Sequence, residues 1–227
     1  QAGDRLLHSA ILELYPREDP PVDCHQGLLE RRYRRSLECV TEPRSRIQRL
    51  DLSKIEAGFV VQKKELTQIT EVVEKVKAVV KKPVILKLTP NVADITEAAK
   101  AGVEAGADAI TAINTVRAMK IDVETAQPIL ANKIGGLSGP AIKPVAVRCV
   151  YEIYEAVDVP VIGCGGITTW QDAVEFMLAG ASAVQIGTAI ASEGLGVFKS
   201  VTKGMDAYLR RKGFGSVKDI VGLSHRR

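Results

Sequence analysis

Two glycine clusters one strand–helix unit apart are the segments of this chain best suited to chemistry. Gly163-Cys164-Gly165-Gly166 follows the apolar run Val159–Ile162, and Gly187-Thr188 follows Ala183–Ile186. Glycines let a ligand approach the backbone and its amides, and a following helix amino terminus adds partial positive charge, so the pair predicts a phosphate-binding rim. Tight turns between strand and helix are the plainer explanation, and recurrence in consecutive units weighs against it. Lys87 lies inside the apolar run Val84-Ile85-Leu86-Lys87-Leu88. Alternation puts it on one face with Ile85 and Thr89, pointing inward, where an ammonium needs an anionic or accepting partner. A solvent-facing lysine at a strand end is the alternative. Asn114-Thr115 closes the next strand. An amide and a hydroxyl there suit a planar ligand bearing amide and carboxylate groups, although Asx-type capping of the turn explains them equally well. The stretch Asn132–Pro140 brings Gly135, Gly136 and Gly139 ahead of another helix. Cys149 and Cys164 read as packing residues rather than nucleophiles, and His8, His25 and His225 receive no role.

These residues need a scaffold, and its pattern begins at about residue 54. Glu65–Lys82 carries Leu66, Ile69, Val72, Val73, Val76, Val79 and Val80 at helical spacing and ends at Pro83. Strand Val84–Leu88 follows, then a helix capped by Asp94 and closed by Gly106, and strand Ala109–Ile113. A longer insertion reaches Pro140. Helix Ala141–Ala156, strand Val159–Gly163, helix Trp170–Ala179, strand Ala183–Ile186 and helix Gly196–Arg211 complete the series. Strands alternating with helices at this spacing make right-handed βαβ units on a parallel sheet. The expected fold class is α/β, a parallel β/α barrel of TIM type whose carboxy-terminal half is clear. Four strands are evident where a closed barrel has eight. Four parallel strands alone leave unpaired edges and an open apolar face, so a partner or a second copy, and hence an oligomer, is expected.

Residues 1–53 differ in kind. They hold nine arginines and no lysine, whereas residues 54–227 hold sixteen lysines and six arginines. Pro16, Pro20, Pro21, Pro43 and the run Arg31-Arg32-Tyr33-Arg34-Arg35 interrupt any strand–helix alternation. The expected organisation is an atypical arginine-rich leader over 1–53, outside the barrel, and a β/α half-barrel over 54–227. A flexible basic arm and a displaced reading frame both explain the leader, and the abrupt change of basic residue favours the second.

The 46% hydrophobic and 26% charged composition is that of an ordinary globular protein, and a net charge of +4 is too mild and diffuse for a nucleic-acid binder. No apolar run long enough to span a membrane occurs, and no secretory leader is visible. Cys24, Cys39, Cys149 and Cys164 lack metal-ligand spacing, which points to a reducing cytoplasm and no metal.

Taken in order, several segments closely resemble dihydroorotate dehydrogenase, nearest to its two-subunit, NAD-linked class. They are Lys82-Pro83-Val84-Ile85-Leu86-Lys87-Leu88-Thr89-Pro90-Asn91, Ile113-Asn114-Thr115, Pro128-Ile129-Leu130-Ala131-Asn132, Gly135–Pro144, Gly163–Ile167 and Gly180–Thr188. The resemblance covers about Ala57 to Arg227. It implies an FMN site made by Lys87, Ile113, Gly139, Gly165, Gly166, Gly187 and Thr188, with Asn114 and Thr115 on the substrate. Ile113 enters through the resemblance alone. Lys87 would face the flavin N1–C2 edge, which becomes negative on reduction. The implied reaction is oxidation of dihydroorotate to orotate in pyrimidine biosynthesis, with electrons passing to NAD through a partner subunit that holds FAD and an iron–sulfur cluster.

The resemblance also implies an Asn-x-Ser-Cys-Pro segment, whose cysteine removes a substrate proton, near residues 49–53. Arg49-Leu50-Asp51-Leu52-Ser53-Lys54 stands there instead, so the catalytic residue is unknown and an inactive chain is expected. Two other readings stand beside this one: a flavoenzyme like dihydropyrimidine dehydrogenase, and a non-catalytic half-barrel that binds a phosphate-bearing ligand.

Overall fold

The computed structural model describes residues 58–60, by their backbone, and residues 66–226. The expected boundary at 53/54, the arginine-rich leader and the segment 49–54 lie outside the described residues.

Five strands form one parallel sheet in the order β1-β2-β3-β8-β9. They are β1 (Gly58–Val60), β2 (Ile85–Leu88), β3 (Ala109–Ala112), β8 (Val161–Cys164) and β9 (Ala181–Gln185). Helices α1 (Leu66–Val79), α2 (Ile95–Glu104), α3 (Lys143–Ala156) and α4 (Trp170–Leu178) lie between successive strands, and α5 (Ala189–Glu193) and α6 (Gly196–Lys212) follow β9. This is the alternation of a parallel β/α barrel, open among the described residues, and the sheet has one strand more than the four evident in the sequence. That strand, β1, pairs with β2 through Gly58↔Ile85 and Val60↔Lys87. Three residues are too few to show a period of two, which is why it escapes pattern reading.

Side chains divide between two faces. Leu86, Leu88, Ile110, Ala112 and Val161 are buried against the helices. Gly163 leaves the space into which Phe176 of α4 packs; a Cβ there would lie 2.4 Å from the ring. The helices bury single stripes: Ala146, Cys149, Val150 and Ile153 on α3, and Val197, Val201, Met205 and Leu209 on α6. On α1 only Ile69 and Val73 are buried, whereas Leu66, Val72 and Val79 are exposed. The wide apolar face expected of this helix is therefore used along one stripe, toward Leu86 and Gly102 beneath it.

Element ends follow local chemistry. Asp94 caps α2, accepting from the Thr96 amide at 2.8 Å. Asp108 accepts from the Val84 amide at 2.6 Å and pairs with Lys77 at 2.9 Å, fixing the entry to β2. β9 starts two residues before the expected Ala183, because α4 ends at Leu178 and Gly180 turns the chain at φ +115°. The insertion after β3 folds as two small antiparallel ribbons, β4 (Val116–Ala118) with β7 (Gly135–Leu137) and β5 (Ile121–Asp122) with β6 (Gln127–Pro128). It ends at Gly139, from which a 3-10 turn, Pro140–Ile142, leads into α3. No helix among the described residues is long and apolar enough to cross a membrane.

Candidate functional site

A parallel sheet sends every strand's carboxy-terminal end to the same edge. Thr89, Ile113-Asn114-Thr115, Gly165-Gly166 and Gly187-Thr188 therefore share one rim, each just beyond its strand. The β4–β7 ribbon adds Ser138 and Gly139 to it.

Three contacts draw these loops together. A Cβ on Gly166 would lie 2.8 Å from the Gly139 carbonyl oxygen, so the two turns meet backbone to backbone. Thr188 Oγ1 donates to Ser138 Oγ at 2.9 Å, joining the β9 loop to the ribbon. Ile113, only 1% exposed, packs beneath Gly165, and its amide donates to the Cys164 carbonyl at 2.8 Å. Gly139, Gly165 and Gly166 have φ of +85°, +136° and +75°, conformations that an L side chain resists. Gly187 differs: among the described residues nothing lies within 4 Å of a Cβ built there, so the described part of the fold does not require glycine.

The inner face of the sheet carries the polar groups. Lys87 pairs in register with Thr111, and Thr111 with Ile162. The Lys87 ammonium lies 3.7 Å from Cys164 Sγ, and no carboxylate among the described residues pairs with it. Cys164 is in register with Gln185, whose Oε1 is buried without a hydrogen-bond partner among the described residues. A glutamine inside an apolar strand raises the question already asked of Lys87, so the sequence held a signal for it. Cys149 has no place at this rim: it is fully buried, and burial pushes its thiol up to about 11.

Asn114 is 8% exposed, and its Oδ1 accepts from the Thr115 amide at 2.8 Å. Asn91 braces this corner. Its amide donates to Thr89 Oγ1 at 2.8 Å and the Thr115 carbonyl at 3.0 Å, and its Oδ1 accepts from the Arg117 amide at 2.8 Å. Behind the glycine turn, Asp172 Oδ2 accepts from the amides and hydroxyls of Thr168 and Thr169, while Oδ1 pairs with Lys143 at 2.8 Å. Burial alone would raise the Asp172 carboxyl, but hydrogen bonds from Lys143 and the two threonines outweigh it and hold the group far below the usual carboxylate range. Lys143 is raised in turn by its hydrogen bonds to Asp172 and Glu175. Asn91, Ser138, Lys143 and Asp172 escape sequence reading because each acts through a partner 24 to 50 residues away.

The profile of the family described as dihydroorotate dehydrogenase matches residues 53–209 and so begins where the arginine-only segment ends. A relative from Pyrococcus abyssi (strain GE5 / Orsay), the catalytic subunit of dihydroorotate dehydrogenase B (NAD(+)), is 58% identical over 154 residues, 68% of this chain and 52% of the relative. Subunits of the same name from Thermococcus kodakarensis (strain ATCC BAA-918 / JCM 12380 / KOD1) and Methanothermobacter thermautotrophicus (strain ATCC 29096 / DSM 1053 / JCM 10044 / NBRC 100330 / Delta H) are 58% and 56% identical, over 67% and 68% of the chain and 51% of each relative. The chain thus spans about half the length of the curated relatives it matches. With the profile extending over more than half of its residues, the chain belongs to the dihydroorotate dehydrogenase family.

Proposed function

We propose that this chain is the FMN-phosphate-holding half of a dihydroorotate dehydrogenase of the NAD-linked class, and that it does not turn over substrate by itself. One observation carries the first part: Gly139, Gly165, Gly166 and Thr188 meet at one rim, above an inner face that holds an ammonium with no carboxylate partner among the described residues. Bound FMN would supply the two-electron acceptor for oxidation of dihydroorotate to orotate.

The residues present fit that group. Left-handed glycines leave the rim open to a phosphate, and Lys87 and the buried Gln185 Oε1 offer unmet polarity to a flavin ring. Lys87, Ile113, Gly139, Gly165, Gly166, Gly187 and Thr188 would hold the cofactor. Asn114 and Thr115 would orient the substrate, with Asn91 fixing their backbone. The relatives' printed name supports dihydroorotate as substrate, NAD as acceptor and, in the words catalytic subunit, assembly with a further subunit; in the reading proposed here that subunit holds FAD and an iron–sulfur cluster and passes the electrons on to NAD. Such an assembly fits a cytoplasmic, oligomeric enzyme.

The second part rests on sequence. Residues 49–54 read Arg-Leu-Asp-Leu-Ser-Lys, with no cysteine to take the substrate proton. Flavin content and dihydroorotate-dependent dye reduction of the purified chain test both parts. Bound flavin without turnover is expected, robust turnover would refute the inactivity, and a chain that binds no flavin would refute the site.

A further inference from the structure

Lys143, the first residue of α3, has the position and charge of a phosphate ligand, but its contacts give it a different task. Its Nζ lies 2.8 Å from Asp172 Oδ1 and 2.8 Å from Glu175 Oε2. One ammonium between two carboxylates leaves this trio with a net negative charge, so it does not attract an anion. A phosphate at this rim would draw instead on the backbone amides of the turn.

Lys143 touches that turn at both ends. At one end, a Cβ on Gly166 would lie 2.8 Å from Lys143 Cβ and 3.0 Å from its backbone nitrogen. At the other, Lys143 holds Asp172, and Asp172 holds the amides of Thr168 and Thr169 at 3.0 and 2.8 Å. The segment Gly165–Thr169 is thereby strapped between the start of α3 and the first turn of α4. Asp172 is 9% exposed, so these bonds are shielded from competing water.

We propose that Lys143 and Asp172 are positioning residues that set the Gly165–Gly166 turn against Gly139 and so shape the phosphate end of the cofactor site. The ligand named here rests on the function proposed above; the strap itself does not. Hydrogen exchange of the amides of residues 165–169 in the flavin-free full chain tests the strap. Faster exchange confined to this segment is expected in both Lys143→Met and Asp172→Asn, with recovery in Lys143→Arg, which keeps a donor for both carboxylates. Unchanged exchange would overturn the strap.

Flavin titration, read by fluorescence quenching, tests the ligand. FMN differs from riboflavin only by its phosphate. Lys143→Met and Asp172→Asn should each weaken FMN by about tenfold while leaving riboflavin within about twofold, and Lys143→Arg should keep FMN affinity near that of the wild type. Equal loss of both flavins would mark general destabilisation and refute positioning. If Lys143 were itself a phosphate ligand, Asp172→Asn would free it and keep or tighten FMN, and that result would overturn the proposal. A wild-type chain that binds neither flavin would refute the proposed function, leaving exchange to decide the strap alone.

Discussion

The ammonium of Lys87 and the sulfur of Cys164 lie 3.7 Å apart on the inner face of the sheet, reaching past β3 from β2 and β8. A thiol is a weak acceptor, so this contact satisfies little of the ammonium's demand. Lys87→Met should leave the stability of the flavin-free chain unchanged or raised, because it removes a half-buried charge with no counter-ion among the described residues. The same change should weaken FMN by about tenfold. Thermal melts with a flavin titration check both; a lower melting temperature with intact flavin affinity would make Lys87 a structural residue.

The two described cysteines should separate cleanly under alkylation. Cys149 is fully buried with its thiol pushed up to about 11, whereas Cys164 is half-buried beside the rim. Iodoacetamide at about pH 8, near the ordinary thiol range, should label Cys164 long before Cys149. Saturating FMN should slow labelling of Cys164. Peptide mass spectrometry reads each site separately, and labelling of Cys164 indifferent to FMN would remove it from the cofactor site.

Two glycines of the rim predict opposite costs. Gly166→Ala places a methyl 2.8 Å from the Gly139 carbonyl at a φ of +75°, and should destabilise the chain by about 1–3 kcal/mol. Gly187→Ala meets nothing within 4 Å among the described residues and should leave the melting temperature unchanged. If FMN approaches the Gly187 backbone closely, that substitution still lowers flavin affinity. Unaltered binding in Gly187→Ala would take the residue out of the site.

The legible residues share one property: the sequence around each contradicts its chemistry. Lys87 interrupts an apolar strand, and Gly165-Gly166 follows an apolar strand with two residues that favour neither strand nor helix, so both stand out. Asn114 closes its strand with a polar side chain, and its Oδ1 accepts from the amide of the next residue, Thr115, rather than from the residue two on that an Asx-turn uses. Gln185 carries the same signal as Lys87, a polar side chain within the apolar run Ala183–Ile186. Lys143 and Asp172 carry no such signal. A lysine at a helix start and an aspartate three residues after a threonine look like surface charge and a capping box, and Thr169 with Asp172 does form that box. Their tie to each other exists only after α3 and α4 pack side by side. The α1 helix misleads in the other direction, since Leu66, Val72 and Val79 complete an apolar pattern that the described fold leaves exposed.

Asp172 also sets an expectation for acid. Its carboxyl is held well below the ordinary value of 3.8, so the folded chain keeps it ionised where the unfolded chain has begun to bind a proton. A lowered folded value contributes stability that is fully present above the unfolded value and lost as pH falls through the folded one. The loss from this group should therefore start below about pH 4 and continue into strong acid. Asp172→Asn removes the ion pair with Lys143, which should cost about 2 kcal/mol near pH 7. It also removes this titration, so the variant's deficit should shrink steadily as the wild type is acidified. Urea midpoints of both chains, measured from neutral pH to about pH 3, give that difference directly. A deficit that stays constant across the range would mean that Asp172 acts through shape and hydrogen bonding alone, and that its charge does not hold the turn.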